Sequence, residues 1–201
     1  VRAAAGFAVT ELGAPMDVLW FRLSRRPDEP AQAFGQVAAG RFFIRLNRGD
    51  YWQCAFIIPK GSLERLQAAG LDAFKAGLLA LAPELADRTG ELASWDDIKL
   101  LSVAVDRLER WWRPGLICIG DAAHAMSPIG GVGINLAIQD AVATANLLAR
   151  PLRDRQLTDS DLAAVQKRRE WPAKVTQSVQ IAIQNRVITP LLAADKPIAP
   201  P

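Results

Sequence analysis

Gly120-Asp121-Ala122-Ala123-His124 follows directly on the apolar run Leu116-Ile117-Cys118-Ile119 and leads into Ala125-Met126-Ser127-Pro128-Ile129-Gly130-Gly131-Val132-Gly133. An apolar run that stops at a glycine and an acid reads as a buried strand ending where the backbone turns sharply. Pro128 to Gly133 holds one proline and three glycines, a loop of small residues. Ile134-Asn135-Leu136-Ala137-Ile138-Gln139-Asp140-Ala141 then takes up helical spacing. Strand, acidic turn, glycine loop and helix start form a cradle for a flat, electron-rich group. The first N–H groups of a helix lack intrahelical acceptors, and its dipole adds roughly half a positive charge there.

Taken with Pro128, Gly130, Gly133, Asn135 and Asp140-Ala141, this stretch resembles the second flavin motif of FAD-dependent aromatic hydroxylases. The family is the para-hydroxybenzoate hydroxylase class, which includes the ubiquinone-pathway hydroxylases. The resemblance implies FAD as cofactor, with Asp121 on the ribityl chain. It implies further cofactor contacts at Gly120, Ala122, Gly130, Gly131, Val132, Gly133, Ile134 and Asn135, with backbone N–H groups on the N1–C2=O edge of the ring. It also implies NAD(P)H as reductant, addition of molecular oxygen at flavin C4a, and hydroxylation of a small phenolic substrate by the resulting hydroperoxide. That substrate would sit between flavin and sheet.

Pro128, within the motif, and Gln53 are the catalytic candidates. Gln53 falls where the prototype carries a charged sheet residue near the flavin, on a loose alignment anchored at Pro59. Arg41 and Arg45 are weaker candidates, with surface placement the rival for both. Val132 stands where the prototype has a lysine, so the prototype's handling of an anionic substrate or a proton is not carried over.

Members of the family open with a strand, a G-x-G-x-x-G turn and a helix for the ADP half of FAD. Here the only close glycines, Gly131 and Gly133, are followed by Leu136 in the third place. The opening Val1-Arg2-Ala3-Ala4-Ala5-Gly6 resembles instead the tail of the family's middle motif. The expectation is a C-terminal part of a longer enzyme that alone binds FAD poorly and does not turn over. Two other readings stay open. One is a flavin halogenase or reductase of the same fold, although a Trp-x-Trp-x-Ile signature is absent. The other is a structural module without cofactor.

With 201 residues, half of them apolar, the chain can bury a sizeable core. A net charge of +3 with scattered basic residues does not argue for nucleic acid. Lys167-Arg168-Arg169, the one tight basic cluster, reads as a solvated helix face. Cys54 and Cys118 lie in apolar strand patterns and read as buried thiols of a reducing compartment, the cytoplasm. The chain has no uninterrupted apolar run of about 18 residues, which argues against stable membrane insertion.

In chain order the expected class is α+β. Phe7 to Leu12, Met16 to Arg25, Ala33 to Ala38, Arg41 to Leu46 and Tyr51 to Ile58 read as strands of one antiparallel sheet, with a hairpin at Asn47-Arg48-Gly49-Asp50. After Ser62, an N-cap candidate, two helices break near Gly70. Ile98 to Val105 alternates as a further strand returning towards the flavin domain. Leu116 to Ile119 expects parallel neighbours, and a homodimer or a partner chain would cover its edge. The motif helix ends at Pro151. A helix from Asp159, capped by Thr158, breaks before Pro172. Val175, Val179, Ala182, Ile183 and Val187 form a stripe read as core packing. Lys196 to Pro201 reads as a departing tail. The expected segments are a substrate-binding sheet domain (1–106), a flavin-domain part (107–150), and C-terminal helices with tail (151–201).

Each chemical reading has a plain rival. Asp121 has the ordinary role of a turn-capping acid as an alternative. His124, the only histidine, is read as a packed, hydrogen-bonded residue beside the cofactor. A triad with Ser127 and Asp121 lacks a G-x-S-x-G elbow and partners from separate segments. One histidine and two distant cysteines do not make a metal site. Asn135 is taken as pocket-facing, and Gln139 as no more than a polar turn.

Overall fold

The structure, a computed structural model, describes residues 2–30, 32–38 and 40–194; the expected tail from Lys196 lies outside them. The chain folds as two units. One joins Val1–Ala14 with Ala104–Ile183, and the other joins Pro15–Val103 with Gln184–Pro201. The expected segments do not map one-to-one onto these units. The opening strand pairs with residues nearly a hundred positions later, and that long-range pairing leaves no local signal.

The second unit is built on a five-stranded antiparallel sheet. Its strands are β2 (Met16–Ser24), β3 (Phe34–Ala38), β4 (Arg41–Asn47), β5 (Tyr51–Pro59) and β6 (Lys99–Leu101), in the order β3-β4-β5-β2-β6. Period-two alternation puts Leu19, Phe21 and Leu23 on one face with Trp52, Cys54, Phe56 and Ile58. Helices α1 (Leu63–Ala69) and α2 (Leu71–Leu79), broken at Gly70 as expected, supply Phe74 and Leu78 to the same core. Phe74 meets Phe21 and Phe56 edge-on at 5.8 and 5.3 Å. The β4–β5 turn forms at Asn47, whose Oδ1 accepts from Gly49 N–H at 2.8 Å. Ser62 is not a side-chain cap; its hydroxyl donates to the Pro59 carbonyl. A capping box occurs instead at Ser94 and Asp97.

Two carboxylates, Asp17 buried and Glu29 half-buried, fasten this unit. Asp17 accepts from Lys60 Nζ, Gly61 N–H and Val103 N–H at 2.7–3.0 Å. Glu29 accepts from Arg88, Trp52 Nε1 and Arg26 N–H at 2.7–2.9 Å. The Arg88 bond outweighs burial and holds the Glu29 carboxyl down at about 2.

Several expectations are corrected. The strand Phe7 to Leu12 is β1 (Val9–Glu11), and it leaves the main sheet to pair with β7 (Asp106–Leu108), which also pairs with β10 (His124–Ala125). The strand Ile98 to Val105 is only β6, because the Val103 N–H is taken by Asp17 and not by a neighbouring strand. Leu116 to Ile119 finds no parallel neighbour among the described residues. Its first half, β9 (Leu116–Ile117), folds back antiparallel on β8 (Trp112–Arg113), and only Cys118 of the run is buried.

The motif helix α3 (Gly133–Arg153) runs through Pro151, since a proline in the last turn removes little hydrogen bonding. Helix α4 (Asp159–Ile183) likewise continues through Pro172 without a break. Buried Arg169 and Ala173 on either side are fixed by packing, which overrides the local bias. The stripe Val175, Val179, Ala182, Ile183 and Val187 is exposed, not core. Gln177 and Gln180 occupy the buried face instead, at 0% and 3% exposure.

Candidate functional site

The motif lies wholly within the first unit. Ile119 is extended, and the backbone then turns through a single 3-10 turn, Gly120–Ala122. Gly120 needs to be glycine twice over. Its φ is +56°, and a Cβ there would lie 2.9 Å from the Ala137 Cβ of α3. That close approach brings the turn against the first turns of the helix. Asp121 and Ala122 face outward, exposed, and no partner in the described chain holds the Asp121 carboxylate.

The loop follows. Pro128 is half-buried, and its carbonyl accepts from Gly131 N–H at 3.0 Å. Gly130 and Gly131 take φ of +78° and +61°, and the space beside Gly131 is open. Val132 caps α3 through its carbonyl, which accepts from Asn135 and Leu136 N–H. Gly133 sits close to Met126, where a Cβ would meet the Met126 Cβ at 3.4 Å. Ile134 and Asn135 are exposed at the helix start. Ten of the eleven residues expected at the site therefore lie together in one stretch. The eleventh, Gln53, stands on β5 of the other unit, half-buried, with its Oε1 accepting from Arg48 Nε at 2.8 Å. Arg45 is buried and paired with Glu84, and Arg41 reaches the Gly77 carbonyl at 3.4 Å.

Behind the cradle lies a buried polar network that the sequence reading missed. The Asp140 carboxylate, from the second turn of α3, is fully buried. Its Oδ2 accepts from Gly120 N–H at 3.0 Å and from His124 Nε2 at 2.6 Å. Its Oδ1 accepts from Arg169 Nε of α4 at 2.7 Å, and Arg169 Nη2 donates to Gln139 Oε1 at 2.9 Å. Burial works to raise the Asp140 carboxyl, but the bonds from His124, Arg169 and Gly120 outweigh it and hold it below the usual carboxylate range. His124 is thus packed and hydrogen-bonded, against Trp111 at 4.9 Å. Its carboxylate is Asp140, not Asp121, and Ser127 bonds elsewhere, so no triad forms.

Glutamines of α4 hold the remaining backbone. Gln177 Nε2 donates to the carbonyls of Asp106 and Ala125 at 2.8 and 2.9 Å. Gln180 Nε2 donates to those of Ser127 and Ile129, and its Oε1 accepts from Ser127 N–H. Their helical spacing of four and seven residues from Ala173 was the available signal, masked by their polarity.

The arrangement suits a ligand that brings hydroxyls to Asp121 and a polar, electron-rich edge to the N–H groups starting α3. The features that fit FAD are the free exposed acid, the open positive-φ glycine loop and the helix start beside it. No group of three or more metal-ligating side chains occurs among the described residues.

Comparison with known proteins identifies the family and its cofactor. Residues 6–179 match the model of the family described as FAD binding domain. The chain is 36% identical over 173 residues to 6-methylpretetramide 4-monooxygenase of Streptomyces rimosus, covering 86% of this chain and 41% of that protein. It is 40% identical over 79 residues to kynurenine 3-monooxygenase of Stenotrophomonas maltophilia, covering 39% of this chain and 16% of that protein. PqsL of Pseudomonas aeruginosa, described as a probable FAD-dependent monooxygenase, shares the fold with a TM-score of 0.71 at 24% identity. That match covers 95% of this chain and 52% of PqsL. The chain thus spans well under half of the Streptomyces relative and about half of the solved neighbour.

Proposed function

The chain belongs to the FAD binding domain family, and from that premise we propose that it forms the ribityl and isoalloxazine side of the cofactor site in an FAD-dependent monooxygenase. The reaction we assign is hydroxylation of a small aromatic, phenolic molecule with NAD(P)H as reductant and molecular oxygen as co-substrate. The observation that carries this reading is the exposed, unpartnered Asp121 set between the Gly120 turn and the start of α3. Similarity to two proteins named as monooxygenases supports the reaction class.

FAD, when bound, supplies the redox and oxygen chemistry. The chain's own residues hold and bias it. Asp121 would accept a hydrogen bond from a hydroxyl of the ribityl chain. Gly130, Gly131 and Gly133 let backbone approach a flat ring without a side chain between. The N–H groups of Gly133 and Ile134 favour negative charge that develops on that edge, without the reorganisation a mobile side chain needs. Two buried free thiols, Cys54 and Cys118, suit the cytoplasm as the proposed location.

In the full-length protein, Asp121→Ala should weaken FAD binding by roughly 1.5–3 kcal/mol, the usual value of a charge-assisted hydrogen bond, and Asp121→Asn by less. Flavin fluorescence titration measures this. An Asp121→Ala protein that retains FAD with unchanged affinity sinks the assignment. Product analysis with candidate phenols, with and without halide, separates hydroxylation from halogenation.

A further inference from the structure

Asp140 touches none of the surfaces offered to a ligand, yet every bond it makes bears on them. One oxygen holds Gly120 N–H and His124 Nε2, the two ends of the turn that carries Asp121. The residue itself sits two turns into α3, whose first residues form the other side of the cradle. The second oxygen is held by Arg169, so a third element, α4, fixes the carboxylate from behind. A carboxylate only accepts, so His124 Nε2 carries the proton in this bond, and His124 Nδ1 has no partner among the described residues. The histidine is therefore committed to Asp140.

From this geometry we infer that Asp140 is a positioning residue for FAD, acting through Gly120 and His124 to keep the acidic turn in register with the start of α3. The inference rests on the proposed FAD site. One rigid carboxylate clamping both ends of a five-residue turn fixes where Asp121 points relative to the helix N–H groups. A cofactor that contacts both is sensitive to that offset. Arg169 makes the arrangement tolerable by neutralising a fully buried charge.

The test compares Asp140→Asn with Val165→Ala in the full-length protein. Asparagine keeps the shape but turns one acceptor into a donor facing His124 or Arg169. Val165, buried in one cluster with Leu148 and Leu162, packs the same pair of helices and has no part in the bonds to Gly120 and His124. Both variants lower the melting temperature. Well below melting, Asp140→Asn should bind FAD roughly tenfold or more weakly and shift the absorption band of the flavin that remains. Val165→Ala should leave both unchanged. Equal affinity and spectrum in Asp140→Asn and wild type would overturn the inference, as would equal losses in the two variants. If Asp140→Asn does not fold, Arg169→Lys carries the same comparison. It keeps the charge but loses the planar Nε donor, and should weaken FAD several-fold. Wild-type protein that binds no FAD refutes the proposed site itself, a result distinct from either failure.

Discussion

The two units are held together by opposite means. Behind the five-stranded sheet, Phe21, Phe43, Phe56 and Phe74 pack with Trp52, six leucines and two isoleucines into a core with almost no exposed area. Around the motif, the buried groups are Asp140, His124, Arg169, Gln177 and Gln180, and the apolar clusters beside them are small. Hydrophobic contact is large but indifferent to small displacements. Hydrogen bonds contribute about 1 kcal/mol each, yet lose much of that when a donor shifts or tilts. The sheet unit is built for stability, and the motif unit for placement.

The strongest way to break the contrast is to empty part of the sheet core. Phe43→Ala, at a fully buried position, should cost about 3–5 kcal/mol by transfer and cavity terms. Denaturant unfolding followed in the second unit measures it. FAD affinity at low temperature should not change, and a parallel loss of flavin would erase the distinction between the units.

Acid sharpens the contrast from the other side. Glu29 is held at about 2 in the folded sheet unit, against 4.5 when free. A depressed carboxyl contributes stability that is complete above its unfolded value and disappears as pH falls through its folded value. The loss should therefore run from about pH 4.5 down to about 2 and reach on the order of 3 kcal/mol. Glu29→Gln should be less stable at neutral pH and flatter over that window. An acid limb as steep as in wild type would assign the effect to another group, Asp17 first, since its carboxyl is also lowered.

The smallest effect is the most local. Gln180→Leu fills the same space and removes the bonds to the carbonyls of Ser127 and Ile129 and to the Ser127 N–H, a cost of roughly 1–3 kcal/mol. Amide hydrogen exchange at Ser127 and its neighbours should quicken while β2 and β5 stay protected. Unchanged exchange in the loop would mean that Gln180 does not hold it.

Much of this was legible from residue order, and the reasons differ by region. The β2, β4 and β5 strands follow from alternation, and the hairpin follows from Asn47 and Gly49, because both signals are local. The cradle was legible because Gly120, Gly130 and Gly131 each answer a backbone requirement at their own position. Pairing of β1 with β7 spans about half of the chain and has no local trace. The α4 stripe was inverted for a physical reason: its buried side faces backbone carbonyls of β7, β10 and the loop, and glutamine donates to them where leucine does not. Hydrophobic periodicity reports only apolar burial, so it selected Val175 and Val179 and passed over Gln177 and Gln180. Asp140 was visible as part of the motif, but its clamp on Gly120 depends on how helix and turn approach, which spacing does not reveal.

Gln177 and Gln180 act as detached peptide groups. Each side-chain amide grips main-chain atoms of β7, β10 or the loop, and none of those contacts reads the identity of the residue gripped. A loop fastened in this way is free in its side chains while fixed in its path. A substitution at Ile129 can alter what the loop presents without altering where it runs. The grip comes from behind, so the lineage can revise the ligand-facing chemistry of this segment one residue at a time and keep the same scaffold under each revision.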